Sequence, residues 1–166
     1  MRFFRWHFLL ILFWVIFEVS FLQIVFPNGK APLAILALVV TMGIVFSLDR
    51  AFGLTLLTVL LFDLSRAGTL TTFLFFTLPL VLITGFVRER FFPESLSLIH
   101  PQAILFFLVS LIVYEVFTPA FSWPSGWDML VGLGMFPVVF FSVYRLEEWL
   151  VSSSLLEFRG LRQSSK

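Results

Sequence analysis

Cysteine is absent from the 166 residues, which excludes disulfides and thiolate metal sites. Charge is scarce. Asp, Glu, Lys and Arg make up 13% of the chain, about half of the ~25% usual in soluble domains. The formal net charge is +1, so there is no basic field of the kind that attracts nucleic acid. Histidine occurs twice, at His7 and His100, too few for a zinc ligand set. No G-x-S-x-G, H-E-x-x-H or phosphate-loop motif is present. With the motifs and ligands of those chemistries missing, no enzyme class and no cofactor is implied.

What remains is apolar. Hydrophobic residues make up 60% of the chain, and there are 24 Phe and 5 Trp. Mean hydropathy is +1.04. A soluble domain of this length leaves much of its surface in water and has nowhere to put so much apolar area. Lipid is the solvent that fits. The expectation is therefore an all-α, polytopic transmembrane bundle.

A spanning helix needs about 17–25 mostly apolar residues. Six stretches are predicted as spans, at 8–26, 32–48, 51–66, 70–87, 99–117 and 127–144. Arg2 and Arg5 precede the first run, as in a signal peptide. The run continues to Phe26 without an A-x-A site, so an uncleaved span is expected. Pro32 opens the second span, where its missing N–H costs nothing. Fusing the second and third spans gives a helix of about 46 Å. That overshoots a hydrocarbon core of about 30 Å and buries Asp49-Arg50, so a turn is expected there. Pro79 and Pro137 lie inside the fourth and sixth spans. Residues 152–166 read as a frayed cytoplasmic tail.

The basic residues set the orientation. With the N-terminus inside and six alternating spans, nine of the 11 Lys and Arg fall inside. Only Lys30 and Arg66 fall outside. Both chain ends are then cytoplasmic. Trp123, Trp127 and Trp149 lie near span boundaries, as interfacial aromatic belts do.

Ionisable residues within spans are functional candidates, because lipid makes them costly. Glu18 in the first span and Glu115 in the fifth are two such carboxyls. Each is either a proton-coupled or partner-binding group, or a polar tie within the bundle. Asp63 and Arg66, three apart, are positioned to pair on one helix face. They either close that helix locally or present a corner to a partner. Asp63 and Asp128 both fall near the outer face, but an acid pair of the peptidase type has little else behind it. Gly132 and Gly134 permit close helix approach in the sixth span.

The run Pro32-Leu33-Ala34-Ile35-Leu36, then Arg50-Ala51-Phe52-Gly53, Leu61-Phe62-Asp63-Leu64 and Gly68-Thr69-Leu70, resembles the rod shape-determining MreD family. The pattern is a Pro-opened second span and a Gly-bearing third span. These lead to a Leu-x-Asp-Leu corner and a small-residue turn. The chain departs from it where Thr58-Val59-Leu60-Leu61-Phe62 replaces a Gly-bearing run, and at Thr71, where Gly is common. It reads as a divergent member.

The resemblance implies a bundle similar to the energy-coupling-factor S-component fold. It implies a non-enzymatic scaffold of the elongasome in the bacterial inner membrane. It also implies binding to an MreC-like bitopic protein and, through it, links to MreB and the RodA–transpeptidase synthase. Gly53, Asp63, Leu64, Gly68, Thr69 and Leu70 sit where the pattern expects them, and Gly53 and Gly68 are expected to serve close packing, with Asp63 and Arg66 expected to serve the fold or partner docking. Membrane lipid is a further partner, and no small-molecule ligand is expected. The alternative is the S-component of a vitamin importer, also of six spans. Such subunits present small residues on the first helix, and 8–26 contains neither Ala nor Gly.

Overall fold

Thirteen residues, Leu33–Val45, are apolar on every side of the helix they form. A helix with no polar stripe has no face to give to water, so it belongs at the centre of a bundle. The computed structural model puts it there. It describes residues 2–25, 32–66, 70–91, 101–117 and 126–163.

Those residues are all-α, with six helices in chain order. The first, α1 (2–25), is α-helical over Arg2–Phe17 and Gln23–Val25 and widens to a π-turn over Glu18–Leu22. Then come α2 (Leu33–Val45), α3 (Leu48–Arg66), α4 (Leu70–Phe91), α5 (Pro101–Phe117) and α6 (Gly126–Gln163). Helix α2 touches every other helix, most extensively α6 and α4. Every residue from Leu33 to Ile44 is buried.

Several boundaries differ from the sequence expectation. The second and third helices are separate, as the charge argument required, but the break falls at Phe46-Ser47. Asp49 and Arg50 lie in the first turn of α3, not in the turn itself. The fifth helix starts at Pro101. The last helix runs on to Gln163, so residues 152–163 are helical, not frayed. Two helical stretches are long and apolar enough to cross a membrane, Arg5–Leu22 and Met129–Ser153. Leu33–Val45, Leu74–Arg88 and Ala103–Tyr114 are shorter apolar helices.

Close approach depends on three glycines. A Cβ on Gly43 of α2 would lie 2.7 Å from Thr84 Cβ of α4. One on Gly85 would lie 2.8 Å from Leu48 Cδ1. One on Gly132 of α6 would lie 3.2 Å from the Phe107 ring of α5, whereas Gly134 faces open space. Gly132 therefore packs as expected and Gly134 does not. Several buried hydroxyls are satisfied within their own helices, whereas the buried Thr55 Oγ1 has no partner among the described residues. Thr41, Thr58, Thr84 and Ser110 each donate to the carbonyl four residues back, at 2.6–2.8 Å. Helix α1 is tied to α6 where Trp14 Nε1 donates to Ser142 Oγ at 3.1 Å.

Candidate functional site

Ionisable side chains meet both ends of α2. At its start, Pro32 provides no side-chain cap. The first helical bond runs from Leu36 N–H to the Pro32 carbonyl. The amides before it need other partners, as at any helix N-terminus. Glu18 supplies one. Its Oε2 accepts the Ala34 N–H at 2.7 Å, reaching across from α1. Glu18 is 3% exposed and is the first residue of the π-turn. A π-turn takes an extra residue into the helix and re-aims the side chains around it. A carboxylate at this position also lies at the positive end of the helix dipole. The Glu18 side chain thus ties α1 to the start of α2.

The other end of α2 is polar as well. The Phe46 amide donates to the Met42 carbonyl at 3.0 Å and closes the last turn. The Phe46 carbonyl then accepts from Arg88 Nη1 of α4. This puts a cation at the negative end of the dipole. The His7 ring of α1 packs edge-on against Phe46, with centroids 5.1 Å apart. His7 Nε2 lies 3.2 Å from Glu147 Oε2 of α6, an ion-pair distance at which the groups are not aligned as a hydrogen bond. Arg50 Nη1 of α3 lies 3.9 Å from Glu147 Oε1. Four helices thus each send a polar side chain toward the turn after α2. Arg50 is mostly exposed, so its pairing adds little. His7 is buried, at 6% exposure. Beyond this cluster, Trp6 and Trp149 meet edge-to-face at 5.5 Å, both half-exposed.

Asp63 is buried in α3 at 7% exposure. Beside it, Ser65 Oγ donates to the Phe62 carbonyl at 2.6 Å. Its neighbour Leu64 is exposed. Gly53 is exposed, and a Cβ there would meet nothing within 4 Å, so it makes no close helix contact within the chain. This corrects its expected packing role. Gly68 lies outside the described residues, as do the side chains of Arg66, Glu115 and Asp128. Among the described residues, no three His, Asp or Glu gather as a metal site.

Sequence reasoning missed Gly43, Gly85, His7, Arg88 and Glu147. The Arg and Glu residues were visible only as topological charge at helix ends. The glycines sit in apolar runs that carry no signal of which helix will approach.

A cavity of about 340 Å³ lies between α4 and α5. Phe75, Phe76, Pro79 and Leu80 line one side, and Phe106 and Val109 the other. Ser110 brings the only side-chain hydroxyl, and that hydroxyl is bonded to the Phe106 carbonyl at 2.8 Å.

The chain matches no family model, no curated protein and no solved structure.

Proposed function

We propose that the chain is a six-span protein of the bacterial inner membrane with both ends cytoplasmic. We propose further that it acts as a non-enzymatic, MreD-like scaffold that binds an MreC-type partner through its helix faces. The observation that carries this reading is the division of its surface. Large apolar side chains face outward on every peripheral helix, while polar ones turn in to the poles of α2. Leu9, Phe13 and Ile16 of α1 are exposed, as are Leu56 and Leu60 of α3 and Leu82 and Phe86 of α4. Leu105 and Val109 of α5, and Val138 and Phe141 of α6, complete the belt. Apolar surface this continuous marks contact with lipid or with other proteins.

Two further observations support the embedding. His7, Arg50, Arg88 and Glu147 come from α1, α3, α4 and α6 and meet at one end of the bundle. These are positions that alternate topology assigns to the cytoplasmic side. In addition, α2 with its 13 residues is about 20 Å long, shorter than a hydrocarbon core of about 30 Å. With its Phe46 end at the cytoplasmic side, its start falls short of the opposite surface, where water cannot satisfy it, and Glu18 does so from within the protein.

The importer reading draws less support. A vitamin site needs convergent polar groups. The α4/α5 cavity offers one hydroxyl, already bonded within its own helix.

Depletion in the host, with imaging and a pull-down in mild detergent, tests the scaffold. Rounded cells and co-purification of a bitopic MreC-like protein are expected. Normal shape, with an ATPase pair and coupling subunit recovered, would replace the scaffold with the importer.

A further inference from the structure

We infer that His7 and Glu147 form a proton-operated latch between α1 and α6, closed when the imidazole is charged and open when it is neutral. The inference rests on contacts within the bundle and is independent of the scaffold reading. Along the seam between the two helices, Trp14 Nε1 donates to Ser142 Oγ at 3.1 Å. His7 lies two turns, about 10 Å, nearer the end of α1. There its Nε2 faces Glu147 Oε2 at 3.2 Å. Trp6 and Trp149 close the seam beyond, edge-to-face at 5.5 Å.

The middle contact differs from the others in needing a proton. A hydrogen bond weakens steeply off its axis, and these two groups are not aligned for one. The neutral ring therefore gains no hydrogen bond from this carboxylate. An ion pair makes no such directional demand, and Coulomb attraction strengthens as water is excluded. The contact is sheltered, with the two side chains 7% and 20% exposed. Glu147 Oε2 accepts no hydrogen bond among the described residues. A buried charge without its partner is costly. Loss of the proton from His7 thus favours parting of the helix ends, which lets water reach Glu147.

The surrounding charges leave His7 as the group that answers Glu147 Oε2. Helix α1 packs against α2, α3 and α6. Helix α2 carries no ionisable residue. From α3, Asp49 is exposed, and Arg50, itself 68% exposed, approaches the other oxygen, Glu147 Oε1, at 3.9 Å. From α6, Arg145 and Glu148 are exposed and pair with each other. Arg88 of α4 is bonded to the Phe46 carbonyl, and His7 packs edge-on against the Phe46 ring. Arg5, on α1 itself, is exposed. Histidine is the side chain whose charge ordinarily changes between about pH 5 and 8. Acid therefore closes the latch and alkali opens it, with the Trp14–Ser142 bond as the pivot.

The cysteine-free chain accepts spin labels at Arg5→Cys and Ser152→Cys, exposed positions that lie beyond the latch on α1 and α6. Double electron–electron resonance on the full chain in detergent micelles tests the device. One short distance is expected at about pH 5, and a longer population should grow several-fold by about pH 8.5. His7→Gln and Glu147→Gln should each abolish the response to pH, from opposite sides of the pair. His100→Gln, at the chain's other histidine, should keep it. A wild-type distribution that does not change between the two pH values overturns the latch, whether or not any variant folds. So does a response that survives either His7→Gln or Glu147→Gln.

Discussion

The carboxylate of Glu18 accepts the backbone N–H of Ala34 at 2.7 Å, so an acid in the first helix caps the start of the helix at the centre of the bundle. Pro32, which opens that helix, has no side chain with which to do it. The widened turn at Glu18–Leu22 is the local adjustment that accompanies this reach.

Glu18→Ala should therefore destabilise the protein by about 1–3 kcal/mol, because it leaves a buried donor unsatisfied. Glu18→Gln keeps an acceptor oxygen and should cost less. Thermal unfolding in detergent separates the two, and an Ala variant that melts with the wild type would remove the cap from the account. Full activity of the Gln variant in cells would also show that function requires no titration at this position.

The glycines should behave oppositely. Gly43→Ala drives a Cβ to 2.7 Å from Thr84 Cβ, and overpacking of this kind costs about 1–3 kcal/mol. Gly53→Ala meets nothing within 4 Å and should be neutral or gain up to about 1 kcal/mol from helix propensity. The difference is measurable as the detergent melting temperatures of the two variants. If Gly53→Ala melts normally but loses rod morphology, the exposed face at Gly53 contacts a partner.

Arginines near the end of the bundle that holds His7 and Glu147 should not be equivalent. Arg88 bonds the carbonyl that follows α2, whereas Arg145, among the described residues, pairs with exposed Glu148 at 2.9 Å. Arg88→Met is expected to cost about 1.5–3 kcal/mol, as for a hydrogen bond to a charged group. Arg145→Met should stay within about 0.5 kcal/mol. Equal losses would mean that Arg88 contributes only surface charge.

The cysteine-free chain allows a direct test of topology. Single cysteines placed at Asn28 and at Ser164 should react differently with a membrane-impermeant maleimide. Asn28→Cys is expected to label on intact spheroplasts, and Ser164→Cys only after permeabilisation. The reverse pattern, or equal labelling, would rule out the arrangement with both ends inside.

Asp63 and Arg66 remain the test of the resemblance. If alanine at both positions leaves protein level and cell shape unchanged, the corner has no part in function. Loss of shape at normal protein level would assign the corner to a partner contact.

The long apolar runs by themselves pointed to helices, because a barrel strand alternates apolar and polar residues and these runs do not, and the described residues are all-α. The uniform run after Pro32 was enough to mark a helix with no polar face. The Asp49-Arg50 pair was enough to require a break near it. Charge at helix ends yields an expected orientation, since it depends on counting and not on contact. What only the tertiary structure decided is which polar groups meet. Glu18 and Ala34 are 16 residues apart, and His7 and Glu147 are farther still, so no spacing rule joins them. The π-turn carries no distinctive residue pattern. The same limit explains the glycines. Gly43 and Gly53 look alike in an apolar run, and only the approach of Thr84 makes the first indispensable and leaves the second free.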